Sequence, residues 1–192
     1  IDAFTRLCEA SGQAKWMSFA REAADYLIDN YWDDERGGIF TTPKSGETLI
    51  VRQKDVMDNA TPSANSTAAN ALYRLAALTG EAKYAQYADG ILRLLARIST
   101  SAPTAFSNLL NAVHLRHVGI TEVVITGYRN DLKNEFYKRW LPTTVIAWGE
   151  PYESSLFEHR NPDLAYVCKQ HACMAPSTSP AELVAALREA LK

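Results

Sequence analysis

A chain of 192 residues, 47% apolar and 22% charged, has the balance of a folded globular protein with enough length for a substantial core. Its formal net charge of -2 supplies no basic field for nucleic acid or an anionic membrane surface. No apolar run approaches the roughly 20 residues that cross a bilayer.

The first stretch, Asp2 to Ala10, already reads as helix, and the chain opens on Ile1 with no signal peptide; it is expected to be a piece of something longer. From Lys15 to Asp33 apolar residues recur at three- and four-residue steps (Trp16, Phe19, Ala20, Ala23, Ala24, Leu27, Ile28, Tyr31), which predicts an amphipathic helix. A helix over 63–79 carries Leu72, Leu75, Ala76 and Leu78 and stops at Gly80, a residue suited to a left-handed C-cap. A helix over 81–98 should bury Tyr84, Tyr87, Ile91, Leu94 and Leu95. The next begins at Pro103, with Phe106, Leu109, Leu110 and Val113 on its buried face.

The turn at Gly80 is short enough to make its two helices antiparallel neighbours. The link from Asp34 to Pro62 is long, and such elaborated loops on a helical frame are where binding chemistry usually sits. Within it, 39–42 and 48–52 flank Pro43-Lys44-Ser45-Gly46 as a plausible hairpin. After Val118 the pattern changes: 122–127, 143–148 and 164–168 read as strands, 130–140 and 179–191 as helices, with Ser179, Pro180 and Glu182 forming a capping box. The fold class is therefore mainly α, helical hairpins over 1–119, with a small α/β unit over 120–192 built on a parallel sheet.

Several stretches together resemble one family. They are Gly37-Gly38-Ile39-Phe40, Arg52-Gln53-Lys54-Asp55, Asp58-Asn59-Ala60-Thr61-Pro62-Ser63-Ala64-Asn65-Ser66, Leu75 to Gly80, Glu122 to Gly127, and Ala165-Tyr166-Val167-Cys168 followed by Cys173 and Pro176. In this order they resemble the C-terminal part of the spermatogenesis-associated protein 20 family. That resemblance implies a partial (α/α)6 toroid, similar to six-hairpin glycosidases and N-acylglucosamine 2-epimerases. It also implies a thioredoxin-like domain in the N-terminal half that this chain lacks. The family's activity is unsettled, so the resemblance carries no reaction. Where the family has glycine this chain has Ala64, which would be strained if that glycine were left-handed.

The segment Arg52 to Ser66 gathers the residue types that bind or process a polar metabolite. Asp55 and Asp58 are the candidate acid and base, and Arg52, Lys54, Asn65 and Ser66 are candidate ligand-binding residues. Trp32 and Phe40, where the second helix meets the long loop, could stack on a sugar ring; packing in the core is the alternative. The structural alternative for the acids is that Asp58 and Ser63 cap a helix while Arg52 pairs with Asp55.

Three cysteines, Cys8, Cys168 and Cys173, are too few for a secreted framework and favour a reducing cytoplasm. Cys168 and Cys173 could form a redox pair or, with His171, part of a metal site, but unbonded structural thiols are expected. His114 and His117 could be an acid/base pair, with an ordinary helix face as the alternative. No cofactor or metal is expected. The expected partners are a carbohydrate-like small molecule, the missing half of the parent protein and a second copy of the chain. The competing function is a non-catalytic scaffold serving a redox domain elsewhere.

Overall fold

The computed structural model describes residues 1–46, 50–169 and 172–191. Its first part is helical: α1 (Asp2–Ser11), α2 (Lys15–Tyr31), α3 (Ala64–Thr79), α4 (Ala82–Ser101) and α5 (Ser107–Val118), the last preceded by a 3-10 turn over Pro103–Phe106. Helix α3 is the centre of this layer and packs against both α4 and α5. Its buried face mixes Ala68, Ala69 and Ala71 with Leu72, Leu75 and Leu78, small residues that let neighbouring axes approach and large ones that fill the space between.

Both ends of α3 are set by local chemistry. Ser63 is extended, and its hydroxyl oxygen accepts the Ser66 N–H at 3.1 Å. Gly80 stops the helix with φ 76° and donates its N–H to the Ala76 carbonyl, so the chain reverses directly into α4. Ala64 is the first helical residue and is absent from the positive-φ positions, so the strain anticipated there does not arise.

Two predicted faces are corrected. On α5, Leu110 and Val113 are each 41% exposed, and the buried row is instead Leu109, Ala112 and Leu115. The 3-10 turn before the helix advances the chain at three residues per turn and shifts the phase of the stripe. On α2, Met17, Ala20 and Ala24 are buried, whereas Phe19 lies out with Phe4 and Trp16 in an aromatic cluster. No hairpin forms over the described part of the long link. Ile39 bridges back to Trp32, and the Thr41 N–H is donated to the Gln53 carbonyl. Thr48 and Leu49 of the expected second run lie outside the described residues.

The second part holds β1 (Thr121–Ile125), α6 (Asn130–Tyr137), β2 (Thr144–Ala147), β3 (Ala165–Lys169), β4 (Ala172–Cys173) and α7 (Pro180–Ala190). The sheet order is β2-β1-β3-β4. Strands β1 and β2 are parallel across α6, but β3 runs antiparallel to β1 and β4 antiparallel to β3, so the sheet is mixed and not parallel as expected. Only the β1–α6–β2 segment has the helical crossover that a parallel pair needs. Val123, Ile125 and Val167 pack with Leu132 and Phe136 of α6 and Leu183 and Leu187 of α7. Val124, Tyr166 and Cys168 face Leu156 on the other side.

A buried cluster around Glu9 is one of the ties between the two parts. Glu9 accepts from Arg74 through both carboxylate oxygens, at 2.9 and 3.0 Å, and from the Ile146 N–H of β2 at 3.1 Å. Its own carbonyl accepts from Tyr137 and Trp148. The molecule is mainly α with a small four-stranded mixed sheet, and no described helix is long and apolar enough to cross a membrane.

Candidate functional site

The structure places the predicted Arg52–Ser66 residues together, but as the fastening of a loop. Asp58 accepts the N–H groups of Ser63 (2.8 Å), Asn108 (2.7 Å) and Leu109 (3.2 Å), clamping the starts of α3 and α5. Burial raises its pKa, but those donors and the Ser66 side chain outweigh it and hold the carboxyl below its usual value. Asn65 is fully buried: its amide donates to the Ile39 and Asp55 carbonyls, and its oxygen accepts the Ile39 N–H. Ser66 is fully buried against Ser63. Lys54 donates to Asp33 and to the Gly37 carbonyl, each at 2.6 Å. Arg52 donates to the Thr42 and Asn30 carbonyls and, with Lys54, lies over the Phe40 ring.

Of the two acids only Asp55 is exposed; among the described residues its carboxylate accepts one long hydrogen bond, 3.4 Å, from the Ala64 N–H, and the expected Arg52–Asp55 pair does not form. Trp32 is half-buried: it packs edge-on to Tyr87 with centroids 4.8 Å apart, covers Gly90, and with Phe40 and Arg52 lines a shallow cavity of about 490 Å³. Gly38, with φ 78°, has the Asn65 oxygen and Leu94 where a side chain would stand; the glycine pair shapes the turn that Asn65 holds. Asn65 and Ser66, expected as ligand-binding residues, are both fully buried, and neither Asp55 nor Asp58 lines the cavities described below.

A further hollow lies elsewhere. A cleft of about 660 Å³ runs between the starts of α1, α3 and α5 and the turn after α6. Asn70, Asn111, His114, Arg6, Arg139 and Trp140 are among its walls. Asn70 donates to the Ser66 and Asn108 carbonyls, which fixes the amide. Trp140 is 87% exposed, an unusual setting for a large ring. The one carboxylate on the walls is Asp2, 3.5 Å from Arg6. Sequence reasoning missed this cleft because its residues come from four separated segments and share no local pattern. His114 contributes to it and His117 does not, so they do not form an acid/base pair here.

A third constellation lies on the sheet, across β1, β3 and β4. Cys168 and Cys173 are directly paired across β3 and β4 and joined as a disulfide, with Cα atoms 3.9 Å apart, which overturns the expectation of unbonded thiols. Arg160 donates towards both sulfurs, at 3.5 and 3.2 Å. Its guanidinium is held by the Leu156 carbonyl and lies over the Tyr166 ring. Glu122 of β1 is paired with Cys168 across β1 and β3. Burial pushes its carboxyl up to about 7, against the opposing pull of Arg160. Cys8 is the free, buried thiol, raised to about 11 chiefly by burial. Among the described residues no cluster of His, Cys, Asp and Glu could hold a metal ion; His171 lies outside them.

No family model matches the chain. Individual proteins do. The chain is 28% identical over 194 aligned residues to spermatogenesis-associated protein 20 of Homo sapiens, covering 92% of this chain and 25% of that protein. The Mus musculus protein of the same name is 27% identical over the same shares. An uncharacterized Caenorhabditis elegans protein is 24% identical over 95% of this chain. The chain spans about a quarter of the length of the curated relatives it matches. The resemblance carried by the short motifs therefore extends along the chain, which over 92% of its length is homologous to spermatogenesis-associated protein 20.

Proposed function

We propose that this chain binds a hydroxyl-rich small molecule, a saccharide or similar polar metabolite, in the cleft beside Trp140. The observation that carries the reading is the pairing of a nearly bare indole with the fixed Asn70 amide in one hollow. A flat ring face suits the C–H face of a pyranose, while the Asn70 oxygen, Asn111, His114, Arg6 and Arg139 supply donors and acceptors for hydroxyl groups. In the whole parent protein the helical hairpins would form part of an (α/α)6 toroid, with this cleft on its inner side.

Binding is a better reading than hydrolysis by this chain alone. Glycoside hydrolysis calls for two carboxyl groups about 5 to 10 Å apart, and the cleft walls carry Asp2 alone. The competing reading, a non-catalytic scaffold, is favoured by the way the Arg52–Ser66 side chains are spent on the loop itself. A thermal-shift panel of neutral and acidic sugars separates the two. The binding reading expects a rise in Tm with at least one sugar class, lost in Trp140→Ala and Asn70→Ala. Absence of any shift, for this chain and for the full-length parent alike, leaves the scaffold.

A further inference from the structure

Glu122, Cys168 and Cys173 stand in one row across three strands, because residues directly paired in adjacent antiparallel strands project from the same face. The row borders a second cavity of about 570 Å³, walled also by Arg160, Tyr73, Asp89 and Arg116. The two sulfurs are unequal: Cys168 is 2% exposed, whereas Cys173 is open to solvent. A purely structural bridge needs neither a cation donating to both its sulfurs nor a half-buried acid beside one of them. Here both are present, and Arg160 is fixed in place by the Leu156 carbonyl and the Tyr166 ring.

We infer that Cys168–Cys173 is an exchangeable disulfide, with Cys173 as the sulfur an incoming thiol attacks and Glu122 as the acid that protonates the departing Cys168. The reductant is a thiol. Its thiolate bonds to the Cys173 Sγ, and the bond between Cys173 and Cys168 breaks. The electron pair leaves on Cys168, where Arg160 stabilises the developing negative charge and Glu122 delivers the proton. A second thiolate then attacks the other sulfur of the Cys173 mixed disulfide and releases Cys173 as thiolate, which takes its proton from solvent. Two thiols end as one disulfide, and the cysteine pair has gained two electrons and two protons. In the reverse direction the Glu122 carboxylate removes the Cys168 proton.

Glu122 fits both roles because its carboxyl titrates near neutrality, pushed there by burial. The charged and titratable groups sharing its cavity are Arg160 from the loop before β3, Arg116 from α5, Asp89 from α4 and Tyr73 from α3. Arg116 is paired with Asp89 at 2.9 Å, and Tyr73 donates to the same carboxylate, which leaves Arg160 as the cation set on Glu122 and the sulfurs.

The test is reduction of the folded 192-residue chain by glutathione and by dithiothreitol, without denaturant, followed by thiol trapping and mass spectrometry. The bond is expected to open in the native state. Its rate per thiolate should fall as pH rises through about 7, where Glu122 loses its proton. Glu122→Gln should flatten that profile and slow the reaction at pH 6 by about a hundredfold. In Cys168→Ser the remaining Cys173 should take up glutathione from its disulfide, whereas in Cys173→Ser the buried Cys168 should not. A bond that opens only after denaturation overturns the proposal, as does capture at Cys168 in place of Cys173. A wild-type profile without the fall overturns the part assigned to Glu122.

Discussion

Asp58 shows how one side chain can be identified correctly as important and still do something other than chemistry. Its carboxylate accepts three backbone N–H groups from two helix starts through both oxygens, work that an amide, with one acceptor oxygen, performs only in part. Replacing it by asparagine should cost about 1–3 kcal/mol in urea denaturation, since donors are left unmatched around a half-buried group. The sign of its pH dependence follows from a folded pKa held below 3.8. The stabilisation is present above that value and is lost as pH falls through the lower folded value. Measured stability of wild type and Asp58→Asn should therefore converge at low pH. The motif around Asp58 was visible in the sequence together with its capping alternative. The partners on α5 were not, because Asn108 and Leu109 lie some fifty residues further on.

The helices were legible because periodicity and punctuation agree along each of them. Gly80 closes α3 with the left-handed backbone a glycine supplies, and Ser179 opens α7 by accepting the Glu182 N–H at 3.4 Å. The capping box at α7 is displaced by one residue: the Glu182 carboxylate accepts from the Thr178 N–H and hydroxyl. Ser179→Ala should consequently cost only about 1 kcal/mol, with thermal unfolding as the readout, because the Thr178 contacts persist. Strand positions were legible from their apolar runs, but strand direction was not. Direction depends on how the loop over 148–164 returns the chain, and that loop has no periodic signal. The α5 face was misassigned for the same kind of reason, a 3-10 turn that leaves no mark in the apolar pattern beyond Pro103.

At the scale of the molecule, the buried Glu9–Arg74 pair joins α1, α3 and β2, so the helical layer and the sheet are not independent of one another. Arg74→Met should destabilise the chain by about 3–5 kcal/mol, since it strands the Glu9 carboxylate in the interior. Unfolding followed by circular dichroism and by Trp148 fluorescence should remain a single transition in wild type. The cleft and the cysteine row are each assembled from elements far apart in sequence. That is why several candidate residues readable from local motifs are loop fasteners here, and why the spacing of Cys168 and Cys173 did not predict the bond that the β3–β4 pairing makes.

The cleft is the centre of the functional account, and the indole N–H signals of the four tryptophans report on it most directly. Titrating a sugar panel into isotope-labelled protein should shift the Trp140 resonance, assigned with Trp140→Phe, and leave those of Trp32 and Trp148 in place. If saturating sugars of every class leave the Trp140 signal unmoved, or move Trp32 in its stead, the assignment of a polar ligand to this cleft is wrong.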